Sequence, residues 1–297
     1  DWEEAHPEQI APATPFSGQR REKVAIVGAG PAGLTAARDL ALLGYSVTLF
    51  EAQAEPGGML YYGIPAYRLP KEILKREIAA AVLDPGVTFR GKMALGRDFT
   101  LKNLFDTGYQ AVFLAVGAWD GMKLDIPGEG DFSGLLDAVT FLRDMNMKNP
   151  HDVRGKRVAV IGGGNVAVDA ARSAWRLGAA QVSIVYRRSR REMPANPWEI
   201  EAAEEEGIDI RYLAAPTRIL GRDGKVWNME CIRMELSEPD ASGRRRPVPL
   251  KGSEFTIPVD IIIPAISQRP VLRSLADHRG KPFRTTSQGL LEVDPVT

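Results

Sequence analysis

The residues of this chain best suited to chemistry sit in two turns of the same design. Val24-Ala25-Ile26-Val27-Gly28-Ala29-Gly30-Pro31-Ala32-Gly33 and Val158-Ala159-Val160-Ile161-Gly162-Gly163-Gly164-Asn165-Val166-Ala167 each carry an apolar run into closely spaced glycines. A turn of this kind between a strand and a helix aims backbone N–H groups and the positive end of the helix dipole at an anion, and the pyrophosphate of a dinucleotide fits such a cradle. Gly28 and Gly162 permit the tight turn, Gly30 and Gly164 let the phosphates approach, and Gly33 and Ala167 allow close helix–strand packing. The copies differ further on. The second strand of the first ends at Glu51, whose carboxylate suits a free ribose diol. That of the second ends at Tyr186-Arg187-Arg188, where guanidinium groups suit a 2′-phosphate. The reading is of two different dinucleotides on one chain, with NADPH favoured over NADH at the second turn.

No general acid, general base or nucleophile constellation stands out, and hydride transfer between a nicotinamide and a flavin needs none. No catalytic side chain and no metal site are therefore expected. Cys231 is the only cysteine, which excludes a Cys-x-x-Cys pair or an all-cysteine iron–sulfur site within the chain, and its alternating surroundings suggest packing. His6, His151 and His278 have no ligand-like spacing. Lys+Arg and Asp+Glu are both 38, so no overall field favours nucleic acid or an anionic membrane. Apolar runs such as Val112 to Val116 and Ile261 to Ile263 are too short to span a bilayer, and Asp1-Trp2-Glu3-Glu4 does not begin a secretory signal. A cytoplasmic protein is expected.

The elements that must position the turns follow from periodicity and punctuation. Lys23 to Val27 reads as strand, Pro31 to Leu43 as helix stopped by Gly44, and Ser46 to Glu51 as strand. Residues 55 to 70 are too broken by glycine and proline for helix or central strand. Helix is expected over Lys71 to Val82, Gly134 to Asn146 and Trp198 to Glu206, the last capped by Asn196-Pro197. Strand is expected over Val87 to Gly91, Ala111 to Val116, Ile208 to Leu213 and Val259 to Ile263. Val226 to Leu236 and Val248 to Ile257 read as one antiparallel hairpin about Asp240-Ala241-Ser242-Gly243, with Arg244-Arg245-Arg246 as its solvated end.

The run Gly57-Gly58-Met59-Leu60-Tyr61-Tyr62-Gly63-Ile64-Pro65, continued by Tyr67-Arg68-Leu69-Pro70-Lys71, is more particular than a glycine turn. With Tyr186-Arg187-Arg188, Arg191-Glu192-Met193-Pro194 and Ile262-Ile263-Pro264-Ala265-Ile266, it resembles the small (beta) subunit of NADPH-dependent glutamate synthase. That family includes parts of dihydropyrimidine dehydrogenase and the large subunit of NADH-dependent ferredoxin:NADP oxidoreductase. The resemblance covers residues 20 to 297. It implies FAD on Gly28, Gly30, Pro31, Ala32 and Gly33, with Glu51 at the ribose, Gly58, Leu60 and Arg68 along the flavin, and Gly117 near the pyrophosphate. It implies NADPH on Gly164, Asn165, Val166, Arg187, Arg188 and the Ala265-Ile266 strand end. Electrons would pass from NADPH to FAD and then to iron–sulfur centres of a domain or partner, such as a larger catalytic subunit.

Three departures accompany it: only a short arm precedes the first turn, Ser267 stands where the family commonly has glycine, and the chain stops before the family's second FAD motif. A piece of a longer protein, holding FAD substoichiometrically, is expected. The α/β fold expected is two Rossmann-like dinucleotide-binding domains, the NADPH domain inserted in a discontinuous FAD domain. Their bounds are an arm over 1–22, the FAD domain over 23–153 and again over 269–297, and the NADPH domain over 154–268. The alternatives are a ferredoxin-linked transhydrogenase, another anaerobic oxidoreductase subunit, or a non-catalytic nucleotide-binding scaffold.

Overall fold

The computed structural model describes residues 21–83, 86–239, 245–272, 275–277, 279–287 and 289–293. His6, His278, Arg244, the 240–243 turn and most of the 1–22 arm lie outside them. The chain forms two compact units. One takes the described residues up to Tyr61, then Leu69–Gly117 and those from Pro270 on; the other takes Tyr62–Arg68 and Ala118–Arg269. Residues 118–153, expected with the first domain, cluster with the second unit.

The first unit is built on β1 (Lys23–Val27), α1 (Pro31–Leu42), β2 (Ser46–Phe50), the short α2 (Met59–Tyr62) at its edge, α3 (Lys71–Ile78), β3 (Thr88–Arg90), α4 (Leu101–Asp106) and β4 (Tyr109–Leu114). Its sheet is wholly parallel in the order β3-β2-β1-β4. Because side chains alternate along a strand, Val24 and Ile26 pack against Leu34 and Ala37 of α1 and Leu74 and Ile78 of α3. Ala25 and Val27 face the other way, onto Phe50, Phe99, Leu101 and Leu104. Both faces are covered, which is why β1 is apolar from Val24 to Val27.

The second unit carries β5 (Asp120–Gly121), α5 (Ala138–Asn146), β6 (Arg157–Ile161), α6 (Asn165–Arg176), β7 (Gln181–Tyr186), α7 (Pro197–Glu205) and β8 (Asp209–Tyr212). They are followed by β9 (Ala214–Arg222), β10 (Lys225–Pro239), β11 (Arg245–Pro249), β12 (Phe255–Pro258), β13 (Ile261–Pro264) and β14 (Gln268–Arg269). Its parallel sheet runs β13-β6-β7-β8. Val158, Val160, Val182 and Ile184 pack on Phe141 and Leu142 of α5 and Val168 and Ala171 of α6. The opposite face, with Ala159, Ile161, Val185 and Ile262, packs on Ile219, Met229, Cys231 and Ile257 of the antiparallel sheet.

Several expectations are corrected. Met59–Tyr62 is a helical turn inside the stretch read as too broken for helix. The α5 helix begins at Ala138 and not Gly134, because the Asp137 side chain accepts from Thr140 N at 2.8 Å and caps it there. Asn196 precedes α7 but makes no side-chain cap bond. The expected hairpin is divided: β11 pairs with the distal part of β10 and β12 with its proximal part, while β9, unread in the sequence, covers the other edge. Arg245 Nε donates to Ser237 O at 3.1 Å, tying down the hairpin base.

Candidate functional site

In the first unit the turn closes because Gly28 takes φ +106, and a Cβ there would lie 2.2 Å from Ala115 O, a backbone atom of the neighbouring strand end. Gly28 N donates to Phe50 O at 2.8 Å and Ala115 N to Val27 O at 2.8 Å, which sets the turn across the ends of three strands. A Cβ at Gly33 would come 1.8 Å from Gly28 O, so this position keeps helix and turn in contact. Gly30 is extended and offers no side chain to cap α1, and Pro31 follows as its first residue. The first-turn N–H groups are thus left to a ligand or solvent. Gly58 packs on Gly30, with a Cβ there 2.6 Å from Gly30 Cα, and Gly57 N donates to Ala29 O at 2.7 Å.

Glu51 is 7% exposed, and its carboxylate already has two partners. Oε2 accepts from Ala29 N and Oε1 from Gln53 N, both at 2.8 Å. The side chain therefore braces the turn from the end of β2 while each oxygen keeps a free lone pair for a diol. Leu60 O accepts from Lys71 Nζ at 3.0 Å, and Gly117 lies just beyond β4 with φ +68. Ala32 is exposed on the first turn of α1.

The second turn repeats the geometry. Gly162 N donates to Val185 O at 3.1 Å, Ala265 N donates to Ile161 O at 2.7 Å, and a Cβ at Gly162 would lie 2.3 Å from Ala265 O. At Gly164, which precedes α6 without a side-chain cap, a Cβ would meet nothing within 4 Å, so the backbone is open to an approaching phosphate. Ala167 is fully buried beneath the turn, Val166 packs against the core beside it, and Ile266 is exposed at the strand end. The Asn165 side chain works inward on the protein: its Oδ1 accepts from Asn196 N at 3.0 Å, while Gly163 O accepts from Ala195 N at 3.1 Å. Both bonds hold the loop that follows Arg187 and Arg188.

Arg187 is exposed and Arg188 half-buried, its Nε buried without a hydrogen-bond partner. Neither forms an ion pair among the described residues, whereas Arg190 just beyond is paired with Glu204. Two unneutralised guanidinium groups at a strand end next to an open glycine turn are suited to a phosphate. Tyr186 stands beside them; its hydroxyl donates to Glu192 O at 2.7 Å, and burial raises its phenol above the usual range.

Arg68, implied to lie along the flavin, is placed in the second unit. Its Nη1 is 2.6 Å from Asp169 Oδ2 and its Nη2 pairs with Glu199. Burial pushes the Asp169 carboxyl up to about 6 despite the opposing pull of Arg68. Sequence reasoning missed Asp169 and Glu199. The signal was there for Asp169, an acid inside Asn165-Val166-Ala167-Val168-Asp169-Ala170-Ala171, a stretch otherwise suited to burial. It also missed Gly163, where a Cβ would come 2.5 Å from the Tyr186 ring.

Among the described residues, no helix is long and apolar enough to cross a membrane. Comparison with known proteins matches residues 22–295 to a family described as pyridine nucleotide-disulphide oxidoreductase. The chain is 48% identical over 277 residues to the NADP(+)-dependent formate dehydrogenase subunit beta of Moorella thermoacetica, covering 93% of this chain and 38% of that protein. It is 45% identical to the NADPH-Fe(3+) oxidoreductase subunit beta of Geobacter sulfurreducens, covering 94% and 42%. Identity to the glutamate synthase [NADPH] small chain of Escherichia coli is 38%, covering 85% and 55%. The chain thus spans about two fifths of the first two relatives and about half of the third. Among solved structures, FprA from Mycobacterium tuberculosis has the same fold, with TM-score 0.75, 23% identity and coverage of 85% of this chain and 72% of that one.

Proposed function

The chain belongs to the pyridine nucleotide-disulphide oxidoreductase family, and from that premise we propose that it is the NADPH-oxidising flavin module of a larger electron-transfer enzyme. In this reading the first unit is the FAD domain and the second the NADPH domain. The observation that carries it is the contrast between the two turns: a braced carboxylate, Glu51, at the first, and at the second Arg187 and Arg188, which have no ion-pair partner among the described residues. Both turns fit their nucleotides, since neither helix start is capped by a side chain, a Cβ at Gly30 would meet nothing nearer than Gly58 Cα at 3.9 Å, and one at Gly164 would meet nothing within 4 Å.

When bound, FAD supplies an acceptor for the hydride of NADPH and a group able to release electrons singly. The protein's own tasks are binding and orientation. The Gly28–Gly33 turn donates N–H groups to one pyrophosphate, and Glu51 accepts from the adenosine ribose while holding Ala29 N. The Gly162–Ala167 turn serves the other pyrophosphate. Arg187 and Arg188 neutralise the 2′-phosphate, and Ala265 and Ile266 line the strand end where the nicotinamide half would extend. Leu60 and Gly117 lie toward the flavin side in the same reading.

A cytoplasmic module with one cysteine cannot assemble an all-cysteine cluster itself. The electrons would therefore leave to an iron–sulfur domain or subunit, and a larger catalytic subunit like that of glutamate synthase is one destination. A second destination, an anaerobic oxidoreductase complex, is favoured by the higher identity to the formate dehydrogenase and NADPH-Fe(3+) oxidoreductase beta subunits. The test is to release the cofactor by heat and identify it by mass. FAD is the expected product; recovery of NAD or of FMN alone overturns the assignment.

A further inference from the structure

Residues Tyr62–Arg68 are held in the second unit by three grips. Asn146 Nδ2 donates to the carbonyls of Tyr62 and Ile64 at 2.8 and 3.2 Å. The Tyr67 ring lies 4.1 Å from the Arg176 guanidinium and 5.2 Å from that of Arg172. Arg68 reaches two carboxylates, Asp169 and Glu199, whose side chains are 6% and 0% exposed. These carboxylates come from different helices. Asp169 lies one turn into α6, which opens at the second glycine turn, and Glu199 lies in the first turn of α7. The same two helix starts are tied by Asn196 N to Asn165 Oδ1 and by Ala195 N to Gly163 O. The loop that runs from the end of β7 to these ties begins with Arg187 and Arg188.

We propose that Arg68 is a positioning residue for NADPH: by holding Asp169 and Glu199 together it fixes the start of α7, and with it the Arg187-to-Asn196 segment, against the second glycine turn. The inference rests on the assignment of NADPH to that turn and adds to it a residue distant in sequence. The physical argument is electrostatic. Two buried carboxylates brought together repel each other and lose hydration, and a shared guanidinium offsets both effects. Among the described residues Arg68 is the one cation in ion-pair contact with either of them. Asp169 Oδ1 and Glu199 Oε2 have no hydrogen-bond partner, so no neighbouring donor would replace it.

The charged groups around the trio are accounted for. Asp169 faces Arg68 and Tyr67 from the Tyr62–Arg68 segment, Arg172 from its own helix and Glu199 from α7. Arg172 is itself engaged by Glu206, which also takes Arg176. The Trp198 ring lies 5.8 Å from the Arg68 guanidinium and carries no charge.

Removing the guanidinium alone should therefore separate the helix starts at alkaline pH and let them return as Asp169 takes up a proton and the repulsion is relieved. The test is calorimetric titration of the full chain with NADP+, each variant being compared with the unsubstituted chain at the same pH, which cancels titration of the ligand. Arg68→Met should weaken NADP+ binding about 10-fold at about pH 8, a coupling of ordinary size. The deficit should shrink to within about twofold at about pH 6, the value to which burial pushes the Asp169 carboxyl even with Arg68 in place. Arg68→Met combined with Asp169→Asn and Glu199→Gln has no charge left uncompensated, so its difference from the unsubstituted chain should not vary with pH. If Arg68→Met does not fold, Arg68→Lys carries the test, because a point charge cannot serve both carboxylates as a planar fork does; a deficit of about threefold with the same pH trend is expected.

A deficit that is equal in the single and triple variants and flat with pH overturns the proposal. So does unchanged NADP+ affinity accompanied by loss of FAD, since Arg68 would then serve the flavin. Failure of the unsubstituted chain to bind NADP+ overturns the underlying assignment, and this inference with it.

Discussion

Replacing Arg187 and Arg188 singly by alanine tests the nucleotide preference most directly, because neither side chain has an ion-pair partner among the described residues. Their removal strands no carboxylate, so the thermal midpoint should hardly move. A charge-assisted hydrogen bond to phosphate contributes about 1.5–3 kcal/mol, or about 10- to 150-fold in affinity. The two positions should fall at different ends of that range. Arg187 is exposed, where water weakens the contact, so Arg187→Ala belongs near the lower end. Arg188 is half-buried with an unpartnered buried Nε, so Arg188→Ala belongs nearer the upper end. The assay is calorimetric titration with NADP+ and NAD+ in parallel. NAD+ lacks the 2′-phosphate and should be nearly unaffected. Raising ionic strength from about 0.1 M to about 1 M shortens the screening length from about 10 Å to about 3 Å, and should erode the contribution of Arg187 more than that of Arg188. Equal losses for NADP+ and NAD+ in both variants would refute the reasoning.

Other outcomes follow from single features. Gly162→Ala should lower both the unfolding midpoint and NADP+ affinity, since φ +147 and the approach of Ala265 O to 2.3 Å leave a methyl nowhere to go; a variant indistinguishable in both measurements contradicts this. Cys231 is fully buried, and burial pushes its thiol up to about 12, so an alkylating reagent at neutral pH should modify it only as fast as the chain opens, and rapid stoichiometric labelling of the folded chain would contradict this. The Arg157 hydrogen bonds hold the Asp260 carboxyl below the usual carboxylate range, so this pair stabilises the fold above the unfolded carboxyl pKa of about 3.9 and ceases to do so as pH falls through the lower folded value. Asp260→Asn should accordingly flatten the acid limb of the stability profile, and an unchanged limb counts against the assignment. Reconstituted with FAD, the chain should reduce ferricyanide with NADPH but form no glutamate from glutamine and 2-oxoglutarate, and glutamate formed without an added partner would contradict the module reading.

What the sequence determined by itself was whatever depends on near neighbours. Lys23–Val27 is a strand in the structure with the bounds read for it, and the Pro31 helix ends within a residue of its expected stop, because continuous apolar runs, a proline at the first helical position and a glycine at the end are local instructions. The two glycine turns were legible for the same reason: backbone torsions and close approach demand glycine at particular spacings. Tertiary structure decided the remainder. The division of Val248 to Ile257 into two strands on opposite ends of β10, and the addition of β9 to its other edge, depend on pairings that no window of sequence contains. The helical turn at Met59–Tyr62 forms inside a glycine- and proline-rich run, where Gly57 is anchored to Ala29 by a bond spanning the unit. Glu51 was read as a ligand for ribose, but only the fold shows it bracing Ala29. Arg68 was placed by resemblance along a flavin, and the structure sets it on Asp169 and Glu199, which lie 101 residues and further along the chain. Periodicity can mark such an acid as buried. It cannot name the partner, because the energy of a buried charge is fixed by whichever opposite charge the folded chain brings to it.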